Sequence, residues 1–150
     1  MGVERLRSMM RSRKRVAIDT SIFIYQLEPN DRYVPLSNEV FSWLERPGSS
    51  GVTSTLTLTE LLVPAYRDRD GRRLKRYQGL LTTFVNLEWA PPTLEIADLA
   101  AKVRAEYGLK APDSIQAATA IHSNARTFLT NDPAFRRVRE IEAVVFDDLF

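Results

Sequence analysis

Cysteine is absent from this 150-residue chain, and histidine occurs once, at His122. The missing cysteine excludes a disulfide scaffold, a thiolate zinc site and a cysteine nucleophile. It is compatible with a reducing compartment. No stretch forms the Gly-rich loop that cradles phosphates in P-loop enzymes. No apolar run approaches the roughly 20 residues that span a bilayer. The basic N-terminus lacks the apolar core of a secretory signal. The expectation is a soluble, cytoplasmic protein with no membrane partner. At this length one domain can bury a proper core of its own.

The net charge of +2 conceals an asymmetry. Arg5, Arg7, Arg11, Arg13, Lys14 and Arg15 stand against one acid, Glu4, at the start of the chain. The remainder is acidic overall. Residues 1–14 are therefore expected as a loose basic arm, and residues 15–150 as the folded domain. Such an arm can also bind phosphates through counterion release. A second basic run holds Arg67, Arg69, Arg72, Arg73, Lys75 and Arg76, broken by Asp68 and Asp70. It reads either as a solvated helix end or as a grip on a phosphate backbone, with Arg72, Arg73 and Arg76 as the candidates.

Short apolar runs alternate with helical patterns. Arg15 to Asp19, Gly51 to Thr55, Leu87 to Ala90, Thr127 to Thr130 and Ala143 to Phe146 read as strands. Thr20 to Leu27 reads as a short capped helix. Leu36, Val40, Trp43 and Leu44 mark a helical face, as do Leu58, Leu61, Leu62 and Ala65, and then Leu74, Tyr77, Leu81 and Phe84. Ile96 to Tyr107 forms a long amphipathic helix stopped by Gly108. The Ala-rich segment Asp113 to Ser123 reads as a buried helix. Trp43 and Trp89 fall at core positions. The alternation predicts an α/β fold: a three-layer α/β/α sandwich around a central parallel sheet.

In such a sheet, sites form beyond the C-terminal ends of the strands. Asp19 ends the first strand and Asp132 follows the fourth. Glu60 lies in the first turn of the helix leaving the second. Asp113 opens the helix that descends into the fourth. All four acids are thus expected on one rim. Crowded carboxylates repel one another, and a cluster of them persists when it holds cations. Carboxylate oxygens suit Mg²⁺ or Mn²⁺, ions that can activate water against a phosphodiester. Each acid also has an ordinary role available. Asp19, Asp113 and Asp132 sit where helix caps sit, and Thr57-Leu58-Thr59-Glu60 fits a capping box. Their joint placement favours the metal reading.

Four stretches resemble the PIN-domain ribonucleases, in particular the VapC-type toxins. They are Ala17-Ile18-Asp19-Thr20-Ser21, Thr57-Leu58-Thr59-Glu60-Leu61, Ala111-Pro112-Asp113-Ser114-Ile115-Gln116-Ala117-Ala118 and Phe128-Leu129-Thr130-Asn131-Asp132-Pro133-Ala134-Phe135. They come in the family's order and cover nearly the whole chain from Lys14 onward. The resemblance implies metal-binding and catalytic acids at Asp19, Glu60, Asp113 and Asp132, with Asp19 and Asp113 as the main ligands. It implies supporting roles for Thr20, Thr130 and Asn131. It implies Mg²⁺- or Mn²⁺-dependent endoribonuclease activity, an RNA substrate, a cognate VapB-like antitoxin and a homodimer. The basic arm is longer than the family usually carries.

Two other enzyme classes fit less well. A haloacid-type phosphatase needs a second Asp two residues after the first, where this chain has Ser21. A response-regulator receiver needs paired acids ahead of its central Asp. A catalytically silent binding module and a housekeeping nuclease without an antitoxin are the remaining alternatives. His122, near the C-terminal turn of its helix, is expected to be structural rather than a general base.

Overall fold

The computed structural model describes residues 1–28 and 30–150. Five strands form one sheet: β1 (Arg15–Ile18), β2 (Ser50–Ser54), β3 (Leu87–Ala90), β4 (Thr127–Thr130) and β5 (Glu142–Val145). Seven α-helices surround it among the described residues. They are α1 (Gly2–Met10), α2 (Thr20–Leu27), α3 (Val34–Leu44), α4 (Thr55–Arg67), α5 (Gly71–Thr82), α6 (Leu94–Tyr107) and α7 (Ala111–His122). Short 3₁₀ turns span Pro133–Arg137 and Phe146–Leu149. The expected α/β sandwich with a parallel sheet is the observed one. No described helix is long and apolar enough to cross a membrane.

The strand order is β3-β2-β1-β4-β5, and every pairing is parallel. The chain therefore winds one way from β1 and then the other way. The reversal lies between β1 and its neighbours β2 and β4, and a crevice opens beyond the carboxyl ends there. β1 is apolar on both faces because both faces are covered. Val16 and Ile18 point into a cluster with Phe23, Trp43, Leu44 and Leu61, built from α1 to α5. Ala17 points the other way, toward Val52, Ala117 and Phe128, under α6 and α7. Gly51 permits the close approach of α3: a Cβ there would lie 2.9 Å from Leu44 Cδ1. Gly108 ends α6 in the left-handed conformation, at φ 71°.

The N-terminal segment departs from expectation. Residues 2–10 form helix α1, with Leu6 fully buried and Met10 nearly so in the larger core cluster. Arg7 donates to both carboxylate oxygens of Glu39 on α3, at 3.0 and 2.9 Å. Arg5 donates to the Asp148 carbonyl at 2.8 Å, and Arg13 pairs with Glu142 at 3.2 Å. Much of the basic charge is thus engaged within the molecule. The charge density suggested a loose arm, but the i, i+4 pair Leu6 and Met10 decides the outcome by burial.

Leu6→Ala should therefore destabilise the protein by about 2–5 kcal/mol, the usual loss for a buried leucine. Chemical denaturation measures this. An unchanged midpoint would restore the loose-arm reading.

Candidate metal centre

Asp19 follows β1 directly. Its backbone N–H donates to the Leu129 carbonyl at 2.9 Å, which fixes it beside β4. It caps α2, accepting from the Thr20 N–H at Oδ1 (2.9 Å). Its Oδ2 accepts from Thr130 Oγ1 at 2.7 Å. The carboxyl is thus held at both oxygens and is 8% exposed. Burial pushes it up to about 6, over the opposing pull of the Thr130 and Thr20 hydrogen bonds. The charges of Asp113 and Glu60 push in the same direction.

Thr130 joins two of the acids. While its hydroxyl donates to Asp19, its oxygen accepts from the Asp132 N–H at 3.0 Å. Asp132 Oδ1 accepts from the Ala134 N–H at 2.9 Å and so caps the following 3₁₀ turn. The capping role foreseen for Asp19 and Asp132 is real, and it orients the carboxylates. The other two capping roles do not form. The N-cap of α4 is Ser54, so Glu60 lies beyond the first turn and is not part of a capping box. Its Oε1 accepts from Thr20 Oγ1 at 2.9 Å. Helix α7 starts at Ala111 with Lys110 as N-cap, so Asp113 stands inside the first turn and does not open the helix. Burial raises its carboxyl above the usual range, the charges of Asp132 and Glu60 add to that, and Lys110 opposes.

Behind the acids lies a buried polar network absent from the sequence reading. Thr53, Thr57 and Gln116 join Thr20 there. One signal for it exists in the sequence: Gln116 is three residues after Asp113, on the same face of α7. Asn131 supports the rim. Its Nδ2 donates to Tyr25 Oη at 2.9 Å, and its Oδ1 accepts from the Asp147 N–H at 2.9 Å.

The basic candidates stand apart. Arg72, Arg73 and Arg76 line a shallow depression with Asp70 at the start of α5. Arg73 pairs with Glu28 and with Asp68 (3.5 Å) and lies over the Tyr77 ring. Arg72 and Arg76 are exposed. A small apolar pocket connects this region to the acids, because Glu28 and Tyr77 line it together with Glu60, Ile24 and Leu61. His122 is exposed, 3.7 Å from Glu95, and outside the site.

Asp19 thus feels the charges of Asp113 and Glu60, and Asp113 those of Asp132 and Glu60. Among the described residues, however, no three carboxylate or imidazole groups stand close enough to enclose an ion. Mg²⁺ does not require such a cage. It keeps several waters and takes one or two carboxylates plus substrate phosphates. The donor chemistry and the crowded negative charge fit a hard divalent cation, with buried Asp19 and half-buried Asp113 as the pair that would hold it.

Residues 16–141 match the PIN domain family. No curated protein sequence matches the chain. Among solved structures, a chain of a toxin–antitoxin complex from Klebsiella pneumoniae superposes with a TM-score of 0.66 at 21% identity, covering 87% of this chain and 97% of that one. FitAcB from Neisseria gonorrhoeae gives 0.67 at 19%, covering 87% and 97%. VapBC-5 from Mycobacterium tuberculosis gives 0.59 at 24%, covering 89% and 99%. At these identities the likeness concerns the fold. The family match itself spans most of the chain, from β1 to the residue before β5, and includes all four acids: the chain belongs to the PIN domain family.

Proposed function

We propose that the chain is a metal-dependent endoribonuclease. The observation that carries this reading is the Asp19 carboxyl, buried at the sheet's switch point, held at both oxygens and surrounded by the charges of further acids. Asp19 and Asp113 would hold Mg²⁺ or Mn²⁺, with Glu60 and Asp132 supplying outer or additional oxygens. When bound, the ion lowers the pKa of water and steadies charge on the phosphodiester oxygens. Thr130 and the α2 N-terminus keep Asp19 in one orientation throughout. Arg72 and Arg76 offer charge to RNA phosphates that the acidic rim would otherwise repel.

Two of the structural neighbours come from toxin–antitoxin systems, which supports the role of toxin in such a pair. A VapB-like antitoxin would then inhibit by placing an Arg or Lys among the four acids. Its apolar residues would lie over the pocket lined by Ile24, Leu27, Leu61 and Pro64 beside Glu60. A homodimer belongs to the same reading.

Asp19→Asn and Asp113→Asn should each leave the fold intact and lower RNA cleavage by more than about 100-fold. Even groups that merely support a metal ligand cost 10–100-fold. Full activity in both purified variants would exclude the metal mechanism and leave the binding-module alternative.

Metal-free stability provides a second test. The Asp19 carboxyl ionises at about 6 in the folded chain and nearer 4 when unfolded. The folded state therefore binds the extra proton, and stability falls as pH rises from about 4 through 6. At pH 8, Asp19→Asn should be more stable than wild type by up to about 3 kcal/mol, an advantage that shrinks toward pH 4. Mg²⁺ should stabilise wild type by mass action and act less on the variant. Equal metal-free melting at pH 8 would count against a strained carboxyl.

For the basic patch, Arg72→Ala with Arg76→Ala should weaken RNA binding. The plot of log affinity against log salt should become shallower by about 1.4, two single-strand phosphate contacts' worth. An unchanged slope would assign these residues to a solvated face.

A further inference from the structure

The buried network behind Glu60 can be resolved hydrogen by hydrogen. Thr53, Thr57 and Gln116 are at most 3% exposed, and Thr20 is 7% exposed. These groups must therefore satisfy one another. Six contacts join them. Thr53 Oγ1 donates to the Ile18 carbonyl at 2.8 Å, and Thr20 Oγ1 donates to Glu60 Oε1 at 2.9 Å. Thr53 and Thr57 hydroxyls lie 2.8 Å apart, and those of Thr57 and Thr20 lie 3.1 Å apart. Gln116 Nε2 donates to Thr57 Oγ1 at 2.8 Å and to Thr20 Oγ1 at 3.3 Å.

Three hydroxyls and one carboxamide supply five hydrogens for these six contacts. The two ends are fixed, because the Ile18 carbonyl can only accept and the Thr20 hydroxyl donates to Glu60 Oε1. The Thr53 hydrogen therefore goes to Ile18 and the Thr20 hydrogen to Glu60. The Thr57 hydrogen goes to Thr53, the shorter of its two hydroxyl contacts. The carboxamide remains, donating to Thr57 at 2.8 Å and more weakly to Thr20 at 3.3 Å. The contact left without a hydrogen is Thr20 to Thr57, the longer of the two hydroxyl pairs.

From this, and resting on the metal-dependent reading above, the geometry points to Gln116 as a positioning residue for Glu60. The carboxamide occupies the accepting side of the Thr20 oxygen, so the Thr20 hydrogen is directed at Glu60. That bond pins Oε1 and leaves Oε2 as the Glu60 atom available to a cation. Through this relay α7, which carries Asp113, also sets the position of an acid on α4. Gln116 touches neither cation nor substrate and acts through Thr20.

Mn²⁺ titration of the full chain by calorimetry tests this. Gln116→Met, which keeps volume and removes both hydrogens, should bind Mn²⁺ roughly tenfold more weakly, the lower end for groups that support a ligand. Thr20→Val should also weaken binding, while Thr20→Ser, which keeps the hydroxyl, should preserve it. The double variant Gln116→Met with Thr20→Val should bind no more weakly than Thr20→Val alone. Additive losses would mean that Gln116 acts by packing, and would overturn the inference. Mn²⁺ uptake indifferent to Gln116→Met would overturn it while sparing the proposed function. A wild-type chain that takes up no Mn²⁺ would overturn both. Should Gln116→Met fail to fold, the metal-free wild type decides. The Gln116 side-chain amide hydrogen that faces Thr57 and Thr20 should exchange slowly with solvent in ¹⁵N-resolved spectra, and its rapid exchange contradicts the assignment.

Discussion

The hydrogen bond from Thr130 to Asp19 links the ends of two neighbouring inner strands, β1 and β4, where the winding order of the chain reverses. β1 delivers Asp19 and β4 delivers Thr130, and parallel pairing in register brings the two together. The same threonine oxygen receives the Asp132 N–H, so one buried hydroxyl sets two acids. Helix α2 starts on the other oxygen of Asp19. The site therefore exists because the sheet exists, and the acids are oriented by backbone groups and hydroxyls more than by one another.

The arrangement has an electrostatic cost. A buried carboxyl with acidic neighbours favours its protonated form, and Asp19 is pushed up to about 6 chiefly by burial. Folding tolerates this because packing on both faces of the sheet stabilises the framework independently. Val16 and Ile18 anchor one face and Ala17 the other. A divalent cation would reverse the local balance, favouring the ionised form that burial disfavours. The rim is thus a place where stability is lower than the fold allows, which is a common property of functional sites.

Much of this was legible in the sequence, and the reasons are local. Five β-rich runs alternating with helical periodicity are enough to imply a parallel sheet, and the acids that follow β1 and β4 must then lie at its carboxyl edge. Boundaries were less legible. Ser54 and Lys110 start their helices earlier than the Thr57 and Asp113 signals suggested, which moves Glu60 and Asp113 inside their helices. The N-terminal segment misled for a different reason. Arg7 looks like a solvated charge until Glu39, buried on α3, is placed beside it. Gln116 and Thr57 were hidden because neither residue type announces chemistry, and their contacts join positions 59 residues apart.

Whether these carboxylates form a cation site is open to direct observation. Anomalous diffraction at the manganese edge, from crystals of the full chain grown with Mn²⁺, tests it most directly. A peak is expected within bonding distance of carboxylate oxygens of Asp19 and Asp113, about the 2.1 Å of Mg²⁺–oxygen bonds, and should be lost in Asp19→Asn crystals. A peak only elsewhere on the molecule, or none at the rim at saturating Mn²⁺, would contradict the cation site.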